Sequence, residues 1–241
     1  MQFYFPASES VLQAHMMADW KRSRSVYNFR TLPETAIICV DYAVVQHLVS
    51  LRSKKIKGLK GKNFVKDGLL FCSGFDNGGP GILNLLEELR ALGVQRFVFI
   101  GLAGRMTATV PEASLAIVEK VVSGSGCTAY YHDQTILSPF DPAFFQSLKD
   151  GLGADSCTCF STDAPFRETT ALLEQAKEAG ATLIEMECAA IYAFAHFYKV
   201  QAACFLVGAD DLSKAWSAPS DWGKLLQQQR NVVDRLIKRL R

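Results

Sequence analysis

The chain has 241 residues, of which 49% are apolar and 21% charged, and its formal net charge is +2. That balance is ordinary for a globular protein, and it gives no electrostatic footing for nucleic acid or an anionic membrane surface. The length suffices for one large α/β core, and no apolar run in the sequence is long enough to span a bilayer.

The opening residues, MQFYFPASES, lack a basic region followed by an apolar core and a small-residue cleavage site, so a cytoplasmic location is expected. Residues 8–24 read as a helix that Ser8 can cap, with Val11, Leu12, Met16 and Trp20 on one side. A strand is expected over 36–40 and a helix over 43–52. The lysine-rich stretch 52–66, broken by Gly58 and Gly61, reads as a solvated turn between strands, because the near-neutral overall charge argues against a nucleic-acid patch. A strand over 68–74 ends in a glycine-rich turn through Gly74, Gly78 and Gly79, and Pro80 suits the first turn of a helix over 82–92.

The strand expected over 94–100 closes on Gly101-Leu102-Ala103-Gly104. A dinucleotide fingerprint needs a third glycine and a helix next, whereas residues 114–122 look like a strand, so no cofactor is expected. Tyr130, Tyr131 and His132 fall near a loop, where they either line a pocket or support the core. Then come a helix over 142–152, a strand over 157–161, a loop through Pro165 and Phe166, and a helix over 168–180 ended by its glycine. A short strand over 182–184, an alanine-rich helix over 188–198 and a buried strand over 202–208 follow. The amphipathic stretch 221–241 closes the chain as a helix packed on the sheet.

This alternation predicts an α/β fold of three layers, α/β/α, around a mixed, largely parallel central sheet. Residues 1–241 form a single domain in this reading, with 1–33 as an N-terminal helical extension and 221–241 as the C-terminal helix. The seven cysteines are odd in number and form no CxxC pair, so reduced, mostly buried thiols are expected. Cys157 and Cys159 would share a strand face, but without a nearby histidine no metal site is expected there.

Chemistry concentrates at two strand ends. Glu185 and Glu187 follow the strand over 182–184, and Asp210 and Asp211 follow the strand over 202–208. Carboxyl ends of parallel strands border the ligand crevice of an α/β sheet, and gathered carboxylates are costly unless a ligand uses them. Blander roles exist for both: Glu187 as an acid complementing a helix N-terminus, and Asp210 as a turn aspartate.

Several segments, in order, carry a family resemblance: GGP at Gly78-Gly79-Pro80, RFVFIG followed by LAG, CFSTDAPF, EMECAA and GADD. Together they resemble the nucleoside phosphorylase and nucleosidase superfamily, of the purine nucleoside phosphorylase, uridine phosphorylase and methylthioadenosine nucleosidase type. The resemblance implies that Glu187 holds the ribose hydroxyls, that Met186 packs under the sugar and that Glu185 supports both. It implies that Asp210 protonates the departing base, that Pro165 and Phe166 face that base, and that Gly104 borders the substrate. Phe166 either stacks on the heterocycle or packs in the core. The expected partner is a small-molecule nucleoside, in a homo-oligomer that is a dimer or a trimer of dimers.

Departures from the family pattern are as informative. Phosphorolytic members hold phosphate at positions that read Val40, Val44, Phe99 and Leu102 in this chain, none of which donates a side-chain hydrogen bond. Hydrolytic members place a water-activating glutamate near the Val44 position, and it too is missing. Ordinary phosphorolysis is therefore not expected. Two functions stay open, an enzyme that cleaves the N-glycosidic bond of a nucleoside and a non-catalytic protein that keeps the fold to bind or assemble.

Overall fold

The computed structural model describes residues 10–241. The expected Ser8 cap lies outside the described residues, and the first helix, α1, runs Ala14–Ser23 and buries only Ala18. Four strands follow: β1 (Thr35–Cys39), β2 (Lys54–Ile56), β3 (Lys62–Lys66) and β4 (Leu69–Ser73). The helix expected over 43–52 is replaced by two single 3-10 turns, Tyr42–Val44 and Gln46–Leu48. Val44, Val45 and Leu48 are drawn into the core there, and the β-branched valines give a regular helix little support.

The basic stretch is also more structured than expected. β2 and β3 pair as an antiparallel ribbon whose inner strand, β3, pairs antiparallel with β4. Lys54 and Lys55 point to solvent while Phe64 is buried and stacks on Phe71, ring centroids 4.9 Å apart. The lysines keep the ribbon soluble while Ile56, Asn63 and Phe64 are buried. Gly61 turns the ribbon at φ +87°, where a side chain would collide with the Ser73 carbonyl.

The glycine-rich turn leads into α2 (Gly78–Ala91), and β5 (Arg96–Arg105), β6 (Leu115–Gly124) and β7 (Ile136–Leu137) follow. The rest of the chain runs α3 (Pro142–Leu152), β8 (Asp155–Thr162), α4 (Thr170–Glu178), β9 (Leu183–Glu185), α5 (Cys188–Tyr198), β10 (Gln201–Asp211) and α6 (Trp222–Leu240). The strands form one mixed sheet. β1 lies in parallel between β4 and β5, and β5 pairs in parallel with β10. From β10 the sheet passes antiparallel to β6, parallel through β8 to β9, and antiparallel back to β5. That half of the sheet closes on itself as a ring, and β4, β1 and the basic ribbon extend from it as an open wing.

Successive residues of the central strands enter opposite cores. Ile38, Cys72, Phe97, Phe99 and Leu206 pack with α2 and α5. Ile37, Phe71, Val98, Ile100 and Phe205 pack with α3 and α6. The three expected layers are present, and α4 caps a third, smaller cluster around Met106, Phe160 and Ile184. Among the described residues no helix is long and apolar enough to cross a membrane.

Candidate active site

The densest polar construction in the molecule is the corner between β9 and α5. Glu185 ends the strand fully within the protein, and its Oε2 accepts backbone N–H bonds from Glu187 at 2.7 Å and Cys188 at 2.8 Å. Its Oε1 accepts from the Ser161 hydroxyl on β8, whose oxygen in turn accepts from the Ala189 amide at 3.0 Å. Glu185 therefore satisfies the open amides of the α5 N-terminus and fixes the direction of that helix. Burial raises its pKa, against the pull of those hydrogen bonds.

Glu187, the residue before α5, is 6% exposed, and its Oε1 accepts the backbone N–H of Gly78 at 2.6 Å. Gly78 opens α2 at φ +81°, so the glycine-rich turn serves to aim an amide at this carboxylate. Burial, and after it the charge of Glu185, pushes the Glu187 pKa up to about 7.

Both glutamates and Met186 line a cavity of about 360 Å³. Its floor is apolar, formed by Val40 after β1, Leu102 on β5, and Trp222, Leu225 and Leu226 on α6. Asp41, Asn77 and Gln229 add polar groups. The four positions expected to replace phosphate ligands therefore divide: Val40 and Leu102 face this cavity, whereas Val44 and Phe99 are fully buried in the two cores.

The second acidic pair sits in a different environment. Asp210 and Asp211 end β10, half-buried, and Asp210 Oδ2 accepts the Trp216 indole N–H at 3.0 Å. Asp211 faces Arg105 at 3.7 Å, and hydrogen bonds from Ser213 hold its pKa below the usual carboxylate range. Arg105 also binds the carbonyls of Ala209 and Val110, which makes it a strut of this loop. Glu168, after the 3-10 turn Pro165–Arg167, has its pKa pushed up to about 7 by burial and by the charge of Asp210.

Asp210 is not among the residues lining the Glu187 cavity. It lies one step along the same strand neighbourhood: a side chain built on Gly104 of β5 would meet Leu212 and Ile184, with Asp210 Oδ1 3.5 Å from its Cβ. Pro165 is exposed, and Phe166 is 98% exposed, so core packing is excluded for that ring. The structure thus gathers Glu185, Met186 and Glu187 at one cavity, and sets Asp210, Gly104, Pro165 and Phe166 apart from its lining.

Asp41, Asn77, Trp222 and Gln229 were not singled out from sequence. Asn77 and Asp41 each follow a strand closely, which is a usable signal. Gln229 offered none, since packing explains the periodicity of α6.

Two other groupings have closed accounts. Ligand atoms of Cys159, Glu185 and Cys188 lie within 4.8 Å of one another. The Glu185 oxygens are already hydrogen-bonded, and burial pushes the Cys159 thiol up to about 11 and the Cys188 thiol well above its usual value. Neutral thiols around a satisfied carboxylate are poor metal ligands. A larger cavity of about 730 Å³ between α1, α2 and α5 is centred on Glu87, which the Tyr131 and Tyr198 hydroxyls both bind at 2.9 Å. Tyr131 and Tyr198 also join the aromatic cluster that backs α5, and His132 packs against His196.

Comparison with known proteins accords with this fold. The chain resembles the crystal structure of purine nucleoside phosphorylase from Toxoplasma gondii in complex with immucillin-H, at TM-score 0.74 and 18% identity over 86% of this chain and 90% of that one. It resembles uridine phosphorylase from Vibrio fischeri equally, at TM-score 0.74 and 18% identity over 87% of this chain and 92% of that one. An uncharacterized protein of Acanthamoeba polyphaga mimivirus is 26% identical over 147 residues, which are 58% of each chain, so the match spans little more than half of that relative. The family model described as the phosphorylase superfamily matches residues 58–240, from the basic ribbon to the end of α6. This chain belongs to the phosphorylase superfamily.

Proposed function

We propose that the protein cleaves the N-glycosidic bond of a nucleoside or a nucleoside-like compound, as an enzyme of nucleoside metabolism. The observation that carries this reading is Glu187: a buried carboxylate, aimed by the Gly78 amide, on the wall of a cavity large enough for a sugar. A carboxylate there accepts from neighbouring ribose hydroxyls and stabilises the positive charge that grows on the sugar as the bond breaks. Met186 packs beneath the sugar, and Glu185 holds the corner in register. The electrons of the C1′–N bond leave with the base, and Asp210 supplies the proton that neutralises it. Phe166, unsupported by its own chain, faces the base together with Pro165, and Gly104, packed against Leu212 and Ile184, borders the substrate near Asp210. The nucleophile that completes the reaction at C1′ is water or phosphate.

The apolar floor at Val40 and Leu102 supports a second reading, a non-catalytic protein that binds nucleosides. A panel of purine and pyrimidine nucleosides, assayed for free base with and without phosphate, separates the two. Release of base by the purified protein is expected; tight binding of a nucleoside without any release would establish the second reading instead. The proposal includes a homo-oligomer in the cytoplasm, consistent with the exposed Phe166, Trp216 and Trp222, and light scattering of the pure protein tests the assembly.

A further inference from the structure

Resting on that reading, we infer that Gln229 of the C-terminal helix is a substrate-contacting residue, and that its cavity admits an uncharged sugar while excluding phosphate, free or esterified. Gln229 is 5% exposed and lines the Glu187 cavity, and its side-chain amide has no hydrogen-bond partner among the described residues. The Gln229 amide is not among the fully buried polar atoms that lack a partner, so it keeps access to the cavity, where a ligand can take up its donor and acceptor. Its neighbours on α6, Trp222, Leu225 and Leu226, are apolar, so the amide marks the single polar point of that wall.

The charge of the cavity points the same way. Asp41, Glu185 and Glu187 all line it, and none of its lining residues is a lysine, arginine or histidine. Arg230, next to Gln229 in sequence, is turned to the Ala43 carbonyl, which its Nε and Nη2 bind at 3.2 and 2.9 Å. A phosphate dianion placed in this cavity would meet carboxylates without a compensating cation, whereas ribose hydroxyls meet acceptors they can donate to. Val40 and Leu102, in place of phosphate ligands, extend the same exclusion to a phosphate nucleophile.

The test is calorimetric titration of adenosine, uridine, their 5′-monophosphates and inorganic phosphate into the wild type and Gln229→Leu. The wild type is expected to bind at least one nucleoside roughly 100-fold more tightly than its 5′-monophosphate, with no measurable heat from phosphate. Gln229→Leu is expected to weaken nucleoside binding by roughly tenfold without lowering Tm, since the amide makes no hydrogen bond within the described residues that the substitution could break. A lowered Tm with unchanged affinity would assign Gln229 a purely structural role and overturn the inference. Equal affinity for nucleoside and monophosphate, or saturable phosphate binding, would overturn it while leaving glycosidic cleavage standing. Binding of neither class of probe would overturn the proposed function as well.

Discussion

Glu187 and Asp210 present the same functional group at the ends of two elements, yet the protein treats them differently. The corner that carries Glu187 is buried, cross-linked by amides from α2 and α5, and shaped around a carboxylate whose pKa is driven up to about 7. The end of β10 that carries Asp210 is half-buried and tied to an indole and an arginine strut. The first region is pre-organised by the fold, and holding a charge there costs stability. The second is less buried, and the Trp216 indole and Arg105 hold it at the end of β10. An acid that must sit in one place from ground state to transition state belongs in the first, and an acid that has only to reach a departing base can belong in the second.

The largest effect is expected where pre-organisation is greatest. Glu187→Gln keeps the volume and the acceptor for Gly78 but removes the charge, and should lower kcat/KM for base release by roughly 1,000-fold. Asp210→Asn should lower kcat by roughly 100-fold, with KM little changed, measured on the same nucleoside. Glu168, beside Asp210 and with its pKa raised to about 7, is a second acid in that loop. If it shares the proton delivery, Glu168→Gln combined with Asp210→Asn will cost more than the product of the single losses.

The pH dependence sharpens the contrast. If Glu187 holds the sugar as a carboxylate, as proposed, activity should rise with pH through an apparent pKa near 7 that belongs to the Glu185–Glu187 pair. Stability runs the opposite way. The folded protein holds a proton on Glu187 that the unfolded chain, with an ordinary carboxylate, releases, so the penalty grows as pH rises from 4.5 to about 7 and is full above that. Glu187→Gln should therefore raise stability at pH 8 by up to about 3 kcal/mol and leave it nearly unchanged at pH 4, as denaturant melts will show. The smallest effects are expected at the rim. Asp211→Asn should change kcat/KM by less than about threefold, because its 3.7 Å contact with Arg105 is long and lies outside the Glu187 cavity. Phe166→Ala should shift stability by less than about 0.5 kcal/mol, the ring being exposed, while raising KM if it stacks on the base.

Much of this architecture was legible in the residues. Strand and helix periodicity gave the layers and most elements, and the glycines mark a left-handed turn at Gly78 and a close approach at Gly104. The ordered EMECAA and GADD segments marked both acidic pairs. What the residues concealed follows from tertiary context. A short valine-rich segment reads as helix until its side chains are claimed by the core, as at Val44 and Val45. A lysine-rich stretch reads as a turn until Phe64 finds Phe71 across the strand pair. The difference between Glu187 and Asp210 has no sequence signature, because burial is decided by α2 and by the ring closure of the sheet. Gln229 is concealed for the same reason: helical spacing accounts for it fully, and only the cavity gives its amide a purpose.

The most direct test compares kcat/KM for base release in Glu187→Gln and Asp211→Asn, two carboxylate-to-amide changes of equal size at the two acidic corners. If the buried corner is where the sugar is held, the first should fall roughly 1,000-fold and the second should stay within about threefold of wild type. Equal losses in the two variants, or full activity in Glu187→Gln, would contradict the assignment of the chemistry to the Glu187 cavity.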